Sequence, residues 1–356
     1  MQIKKLNYKD YKSIKTLIKK NNSNVITLKS FKILNNFLKK NSTIILDGLY
    51  DNKELVGFHV TIKKIIIYQK QLFNVLVSSN WNVLKKYRNY SFVLINKYLS
   101  LKSDLYLTTT ANNKVSDMWK LFGAHEINNE TCKFTLFKIV NYVDLINFFL
   151  KKKIKYSINF ISSFIGIFLN LIFSYKNLFL KNKNQLILKP IKKKCLELEF
   201  FNKKFEKKSK FPIEVRSGGL LFKYLDILEL NQKKTYIYKI IKKKNMIGYV
   251  VLVGEKYDGY TRMFLAEIRI NDEFNYFINE IFTHICKIPK EKKYSIIYFK
   301  HLQPRFFKFI NINFFSITKH NFNSYLIKLG SKKSKKLKAF FKNSWSSSYL
   351  DGDSLL

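Results

Sequence analysis

The sequence predicts an α/β (α+β) protein with two units, each a mixed, mostly antiparallel central sheet flanked by helices. The stretch Phe73–Val83 alternates apolar and polar residues with the period of two that is typical of a strand. Two series of strands and hairpin turns, at 43–83 and 235–270, are each followed by a helical pattern and a further strand. An apolar run at 156–175 separates the two series. This repeated order favours two units of similar construction over one large sheet.

Length and composition agree with two folded units. The chain has 356 residues, of which 47% are hydrophobic and 16% aromatic, so each half can bury its own core. The net charge of +42 comes almost entirely from lysine, because only five of the 66 basic residues are arginine. Bidentate recognition of phosphates and bases favours arginine, so this surplus does not indicate a nucleic-acid partner. It does favour anionic cofactors and surfaces.

The cysteines and acidic residues indicate no metal site. Cys132, Cys195 and Cys286 are far apart and form no CxxC pair, which favours isolated thiols in a reducing compartment. Asp351 and Asp353 near the end of the chain lack a third ligand and are typical of a turn. The first twenty residues lack the apolar core of a signal peptide, so we expect a cytoplasmic protein.

The first half predicts helices and strands in a definite order. An amphipathic helix at Tyr8–Lys20 and a short helical face at 31–38 precede a hairpin of strands at 43–50 and 54–68. The strand at Phe73–Val83 follows and leads into a basic turn. A helix from Ser91, a strand at 105–109 and a helix at about 112–122 complete the half.

The basic turn predicts a phosphate-binding site. Lys85, Lys86 and Arg88 lie between a strand and the start of a helix at Ser91. The first N–H groups of a helix have no partner in the helix, and its N-terminal end carries a partial positive charge. An anionic group is therefore expected to bind there.

This order of elements resembles the acetyl-CoA core of the GNAT-superfamily N-acyltransferases. That superfamily has a phrase like V.P.YRG.G after the strand and a helix that begins at Asn and ends Y..LGF. The residues that carry the resemblance here are Trp81, Val83, Tyr87 and Arg88, and then Asn112, Asn113, Trp119, Leu121 and Gly123. Arg88 matches the arginine of the diphosphate loop, whereas Ser91 and Val93 replace its two small residues.

The resemblance implies acetyl-CoA, or another acyl-CoA, as cosubstrate. It assigns the diphosphate to the turn, the pantetheine amides to the end of the strand and the thioester to the start of the later helix. The implied cofactor-binding residues are Trp81, Asn82, Val83, Arg88, Asn89, Tyr90, Ser91, Phe92, Val93 and Asn113.

The catalytic acid and base are not identified by the resemblance. The transfer needs one group to take a proton from an amine and another to return a proton to the departing thiolate. The strand Phe73–Val83 has no carboxylate, and Trp119 stands where the superfamily has a tyrosine. His59, Tyr87 and Asp47 remain as candidates, each with a structural alternative as a packed, turn or edge residue.

The apolar run at 156–175 leaves three interpretations open. Lysines at 151–153, 155, 176, 181 and 183 flank it, and Asn159, Ser163, Gly166, Asn170 and Ser174 form a polar stripe at helical spacing. A helix in a lipid interface fits this pattern. Packing between the two halves and a membrane-spanning helix are the alternatives.

The second half predicts a degenerate copy of the first. Strands are expected at 196–200, 235–241, 246–253, 261–270, 294–299 and 324–327, a loop at 213–222 and a helix at 273–286. Asn271 and Asp272 stand where the first half has its basic turn. The predicted division is a GNAT-like acyl-CoA domain at 1–140, a hydrophobic helical linker at 141–194, a degenerate GNAT-like domain at 195–330 and a basic, solvated tail at 331–356.

Two functions follow from this reading. The first is an acyl-CoA-dependent N-acyltransferase acting on the amine of a small molecule, such as a sugar amine or an amino acid, at or near the inner membrane surface. The second is a non-catalytic GNAT-like protein that binds an anionic surface, either membrane lipid or nucleic acid.

Overall fold

The computed structural model describes residues 1–21, 44–111, 113–127, 134–154, 164–170, 185–191, 195–230, 233–257, 259–300, 302–311, 315–319 and 324–340. Within them lie nine α-helices, and four stretches of 3₁₀ turn at Tyr8–Asp10, Lys85–Tyr90, Asp272–Phe277 and Lys332–Phe340. The helices are α1 Tyr11–Lys20, α2 Ser91–Ser100, α3 Asn113–Leu121, α4 Tyr142–Ile154, α5 Leu196–Lys208, α6 Leu220–Leu230, α7 Ile278–Ile285, α8 Ile288–Glu291 and α9 Pro304–Phe307. Residues 164–170 form a further short helical segment.

The first sheet contains most of the strands of the N-terminal half. Its strand order is β1-β2-β3-β4-β5-β15-β6, and β9 pairs with β3. All neighbours are antiparallel except β4 and β5, which are parallel. Its strands are β1 Gln2–Lys5, β2 Ile44–Asp51, β3 Glu54–Tyr68, β4 Gln71–Val83, β5 Leu105–Ala111, β6 His125–Glu126, β9 Ile213–Glu214 and β15 Ser324–Leu329.

The second sheet has the same internal pattern. Its order is β14-β7-β13-β12-β11-β10-β8, and only β12 and β13 run parallel. Its strands are β7 Phe134–Ile139, β8 Leu186–Pro190, β10 Lys234–Lys242, β11 Asn245–Tyr257, β12 Tyr260–Ile270, β13 Ile296–Phe299 and β14 Ser316–Lys319.

Each sheet includes a strand from the other half of the chain. β7 follows β1 to β6 in sequence, yet it pairs with β13 in the second sheet. β15 follows the elements of the second sheet, yet it pairs with β5 in the first. A large core is shared by both sheets, since Val60 and Val77 belong to the same cluster of buried side chains as Val251 and Phe264. The two sheets are therefore joined by strands as well as by packing.

The predicted fold class is confirmed: two mostly antiparallel sheets are flanked by helices. The hairpin β2–β3 turns at Asn52, which adopts a positive φ of 52°. The domain limits at 140, 194 and 330 remain predictions, and β7 and β15 both pair across them.

Several predicted segments differ in the structure. Residues 196–200 are not a strand but the start of α5, whose Leu198, Phe201 and Phe205 are buried with helical spacing. The loop expected at 213–222 holds β9 and the start of α6, and the linker to 194 includes β8.

The predicted solvated tail also differs. Its Lys332–Phe340 turn buries Leu337, and Lys333 Nζ pairs with Asp104 Oδ2 at 2.8 Å. The helical face predicted at 31–38 and the acidic pair at 351 and 353 lie outside the described residues.

Candidate functional site

The pairing of β4 with β5 ends partway along both strands, and the gap beyond its last pair is called the cleft below. The two strands pair from Val75–Ser78 with Leu105–Thr108 and no further. Beyond this point β4 continues beside β3 as far as Val83, while β5 continues beside β15. The strand edges that face each other across the gap thus lack a β-ladder partner, and backbone groups in such a position take a ligand or water. This is the region in which the resemblance to the GNAT superfamily implies that the pantetheine chain lies.

A β-bulge sets the side-chain directions at the cleft. The register between β3 and β4 shifts, so that Phe58 lies opposite Asn82 but Val60 lies opposite Ser79. An extra residue on one strand interrupts the alternation of side chains. Val77 therefore faces the core that both sheets share, whereas Trp81 packs with Leu76 on the side of α2. The uniform alternation predicted from Phe73 to Val83 is wrong at its end for this reason.

The predicted phosphate turn is helical along its whole length. Lys85–Tyr90 forms a 3₁₀ turn that passes directly into α2. Within it the Tyr87 N–H donates to the Leu84 carbonyl at 2.8 Å, and the Ser91 N–H donates to the Arg88 carbonyl. No side chain caps the start of α2. The helix end is thus available to an anion, but part of the turn's amides are already used within the turn.

The arginine of the turn is accessible. Arg88 and Asn89 are exposed, Tyr90 is 43% exposed, and Phe92 in the first turn of α2 is 49% exposed. Within the described part of the chain, no carboxylate forms an ion pair with Arg88. Ser91 and Val93 are partly exposed at the same helix end.

The corresponding turn of the second half has a nearly identical backbone and different charge. Leu84 has φ −56° and ψ 141°, and its counterpart Asn271 has φ −58° and ψ 137°. Each precedes a six-residue 3₁₀ turn that leads into a helix. In the second turn Asp272 forms an ion pair with Arg305, so this cation is neutralised by the chain itself. Of the two turns, the first is the one suited to an external anion.

Two predicted catalytic candidates lie on neighbouring strands. Asp47 on β2 is directly opposite His59 on β3, and both are buried. His59 Nε2 is 2.8 Å from the Ser78 hydroxyl, at the last paired position of β4 before the cleft. The His59 ring also packs against Trp81 and Tyr98, with centroids 5.0 and 5.2 Å away.

Burial controls the protonation of both groups. Desolvation lowers the pKa of His59 to about 3, so its imidazole is neutral at physiological pH. Desolvation also raises the pKa of Asp47, against the opposing charges of Lys97 and Lys5. His59 is thus a weak base, held behind an aromatic layer.

The other candidates are placed apart from this pair. The Tyr87 hydroxyl donates to Asp51 Oδ2 at 2.8 Å, beside the β2–β3 turn. The Asn82 side chain is buried and accepts a hydrogen bond from Asn21 Nδ2 at the end of α1. Asn113 is the first residue of α3. Asn21 Nδ2 also donates to the Val83 carbonyl at 3.1 Å, so the end of β4 is tied to the end of α1 at two points.

Sequence reasoning missed the groups that close the base of the cleft. Ser78 and Thr108 face each other across the last parallel pair and are both buried. Just below, Tyr98 from α2 is fully buried, and its hydroxyl donates to the Leu76 carbonyl on β4 and lies 3.4 Å from the Leu107 carbonyl on β5. The signal that could have revealed them is the run of serine and threonine in otherwise apolar strands.

Trp119 fills the position that the superfamily gives to a tyrosine. Its side chain is fully buried, and its ring packs against Tyr98 with centroids 5.5 Å apart. An indole can donate a hydrogen bond but cannot act as a proton-transferring acid in the way a phenol does. This position therefore supplies packing.

A second group of backbone N–H groups that could bind an anion instead donates hydrogen bonds to carboxylates of the same chain. Gly218 and Gly219 have positive φ values of 68° and 75°, just before α6. Their N–H groups donate to the carboxylate of Glu199, and the Ser217 N–H donates to Glu206 Oε1 at 2.9 Å. The predicted loop with paired glycines is thus an internal junction.

No protein-family model matches the sequence, and no curated protein matches it. The structure, however, is similar to several solved proteins. A probable N-acyltransferase from Enterococcus faecalis V583 matches with a TM-score of 0.56 and 10% identity, over 95% of this chain and 73% of that one. A GCN5-related N-acetyltransferase from Anabaena variabilis ATCC 29413 matches with a TM-score of 0.57 and 10% identity, over 93% and 73%.

A third neighbour is the N-myristoyltransferase of Saccharomyces cerevisiae with bound myristoyl-CoA. Its TM-score is 0.54 at 12% identity, over 92% of this chain and 82% of that one. The chain therefore has a GNAT-like fold, as its sequence predicted. At this level of identity the likeness concerns the fold alone.

Proposed function

We propose that the protein is an acyl-CoA-dependent N-acyltransferase with its cofactor site in the cleft between β4 and β5. The observation that carries the proposal is the separation of these parallel strands after Ser78 and Thr108, directly before a basic turn at a helix start. Fold similarity to acyltransferases supports the same class.

The proposal gives each part of the site a task. The exposed Arg88 and the N-terminal end of α2 would hold the diphosphate, together with Asn89, Tyr90 and Ser91. The backbone of Trp81–Val83 would pair with the pantetheine amides, and Asn113 would face the thioester end. Phe92 and Val93 would border the cofactor. CoA supplies an activated acyl group that an amine nitrogen can attack.

Proximity carries much of the expected rate enhancement. Holding an amine and a thioester together can accelerate transfer by several orders of magnitude without a strong base. One proton must leave the amine and one must reach the thiolate, and Asp47, His59 and Tyr87 remain the proposed candidates. Of these, the neutral His59 has its Nε2 2.8 Å from the hydroxyl of Ser78, the last residue of β4 that pairs with β5. The acceptor is proposed to be a small-molecule amine, such as a sugar amine or an amino acid.

The second candidate is a GNAT-like binding protein without catalysis. The observation that favours it is the phosphate turn, in which Ser91 and Val93 replace small residues and some amides are used internally. The buried Trp119 in place of a tyrosine points the same way.

Calorimetry with acetyl-CoA tests the proposal. We expect binding by the wild type and at least about tenfold weaker binding by Arg88→Glu, since the change places a negative charge beside the diphosphate. Lys203→Glu on α5 is the matched control, an exposed residue with the same change of charge, and should bind as the wild type does. No binding by the wild type would reject the cofactor site.

Release of free thiol from acetyl-CoA separates the two candidates. A panel of sugar amines and amino acids should contain at least one that accelerates thiol release by the wild type and not by Arg88→Glu. Cofactor binding without any acceleration across the panel would favour the non-catalytic alternative.

A further inference from the structure

An apolar patch lies on the surface formed by α4 and the helical segment 164–170. Five large side chains contribute to it, and each is between 43% and 71% exposed. They are Phe149, Phe164, Ile165, Ile167 and Phe168. A contiguous apolar surface of this kind marks a site of contact with a membrane or another protein.

The segment 164–170 turns its polar side towards the protein and its apolar side outward. Asn170 Oδ1 accepts a hydrogen bond from the Tyr142 N–H at 3.0 Å, at the start of α4. Gly166 is buried against Val143, and a Cβ at this position would lie 2.6 Å from the Val143 Cα. These two residues belong to the polar stripe noted in the sequence. The arrangement is the reverse of an ordinary surface helix, which buries its apolar side.

Helix α4, which carries part of the patch, packs against the second sheet. Asp144 in the first turn of α4 accepts a hydrogen bond from the Ser295 hydroxyl at 2.7 Å, next to β13. Phe148 packs against Tyr260 of β12 with ring centroids 5.1 Å apart, while the adjacent Phe149 is 56% exposed. The outward side chains are therefore presented by a helix that is attached to the second sheet.

The sequence beside the patch is basic. Lys151, Lys152 and Lys153 follow Phe149 and Leu150 in α4, and the sequence has four more lysines at 155, 176, 181 and 183. The chain as a whole carries +42. Aromatic and aliphatic side chains beside lysines are the composition of a surface that inserts shallowly between anionic lipid headgroups.

We propose that this patch docks the protein on an anionic membrane surface. The phenylalanines and isoleucines would enter the boundary between headgroups and acyl chains, and the neighbouring lysines would contact lipid phosphates. No helix in the described parts of the chain is long and apolar enough to cross a membrane. The proposal is independent of acyl-CoA binding.

Vesicle sedimentation with the full chain tests this inference. The probes are vesicles of zwitterionic phosphatidylcholine alone and vesicles that also contain phosphatidylglycerol. We expect the wild type to bind the anionic vesicles at least about tenfold more strongly, and high salt to weaken this binding. Phe164→Gln with Phe168→Gln should reduce binding to anionic vesicles about tenfold or more, because two phenylalanine rings would no longer be buried in the lipid on binding.

The matched control is Leu196→Gln with Phe200→Gln on α5. These side chains are 85% and 71% exposed and have the same spacing of four residues, so the control removes two exposed apolar side chains elsewhere. It should bind vesicles as the wild type does. Equal binding by the wild type and the Phe164 and Phe168 variant would overturn the proposal. So would a wild-type dimer that this variant converts to a monomer without any vesicle binding, because the patch would then belong to a second copy.

Discussion

Removing the charge of Glu267 tests the buried ion cluster that joins the two sheets. Glu267 Oε2 is 3.0 Å from Arg216 Nε, and its Oε1 is 2.9 Å from Arg269 Nε. The cluster extends to the first sheet through Lys64 on β3, whose Nζ is 3.3 Å from Glu214 Oε2. All of these side chains are less than 9% exposed. With Glu206, the cluster contains three acids and three bases.

The expected loss follows from the charge that the substitution leaves behind. Glu267→Gln keeps the shape of the side chain but leaves three buried cations with two carboxylates. Breaking a buried pair in this way costs about 3–5 kcal/mol, because the remaining charge is neither solvated nor compensated. Since the total stability of a folded protein is about 5–15 kcal/mol, the fall should be easily measured.

Urea unfolding followed by circular dichroism provides the assay. The control is Glu54→Gln, which breaks the exposed pair with Lys20 at 2.7 Å and should leave the midpoint unchanged. Combining Glu267→Gln with Arg216→Gln should destabilise by less than the sum of the two single changes, because the second removes a charge that the first left unpaired. A loss below about 1 kcal/mol for Glu267→Gln, or additive effects, would refute this account of the cluster.

Two further predictions concern the base of the cleft. The pKa of the His59 imidazole is about 3 in the folded protein and ordinary in the unfolded chain. Between about pH 6.5 and 3 the unfolded chain therefore binds one proton more than the folded protein. Acidification in this range should lower the free energy of unfolding by up to ~1.4 kcal/mol per pH unit. In urea titrations at several pH values, His59→Gln should reduce this dependence of stability on pH. His125 is exposed, so His125→Gln should leave the dependence unchanged, and equal slopes for the two variants would contradict the role of His59 burial. Tyr98→Phe should lower the free energy of unfolding by about 1–2 kcal/mol, because a buried hydroxyl donor is lost. Tyr257 is half-exposed, so Tyr257→Phe serves as the control. An unchanged urea midpoint for Tyr98→Phe would show that the Tyr98 hydroxyl does not stabilise the base of the cleft.

Local patterns predicted the antiparallel part of each sheet. Alternation along β3 and β4, with turn residues at 51–53 and 69–71, is sufficient to specify hairpins between consecutive strands. The helix after the basic turn was also predicted from its spacing. These elements depend on residues that are close together in the sequence.

The elements that sequence reasoning missed depend on distant contacts. Nothing within β7 or β15 indicates that each pairs with the sheet of the other half, since the partner strands lie far away in the chain. Residues Leu196–Phe200 alternate like a strand, but the next two turns bury Phe201 and Phe205 and the segment is helical. Short apolar alternation is ambiguous until its continuation is considered.

The candidate site was predicted in part. The position of the basic turn follows from the sequence, while the fully helical turn at Lys85–Tyr90 does not, because no glycine or capping residue marks its backbone. The contact of His59 with Ser78 depends on the register across the β3–β4 bulge, and a shift of one residue moves side chains to the other face.

A crystal structure of the protein with bound CoA would locate the cofactor. We expect the diphosphate beside Arg88 and the start of α2, with the pantetheine chain between the separated ends of β4 and β5. CoA bound elsewhere, without contact to the edge of Trp81–Val83, would rule out the proposed site.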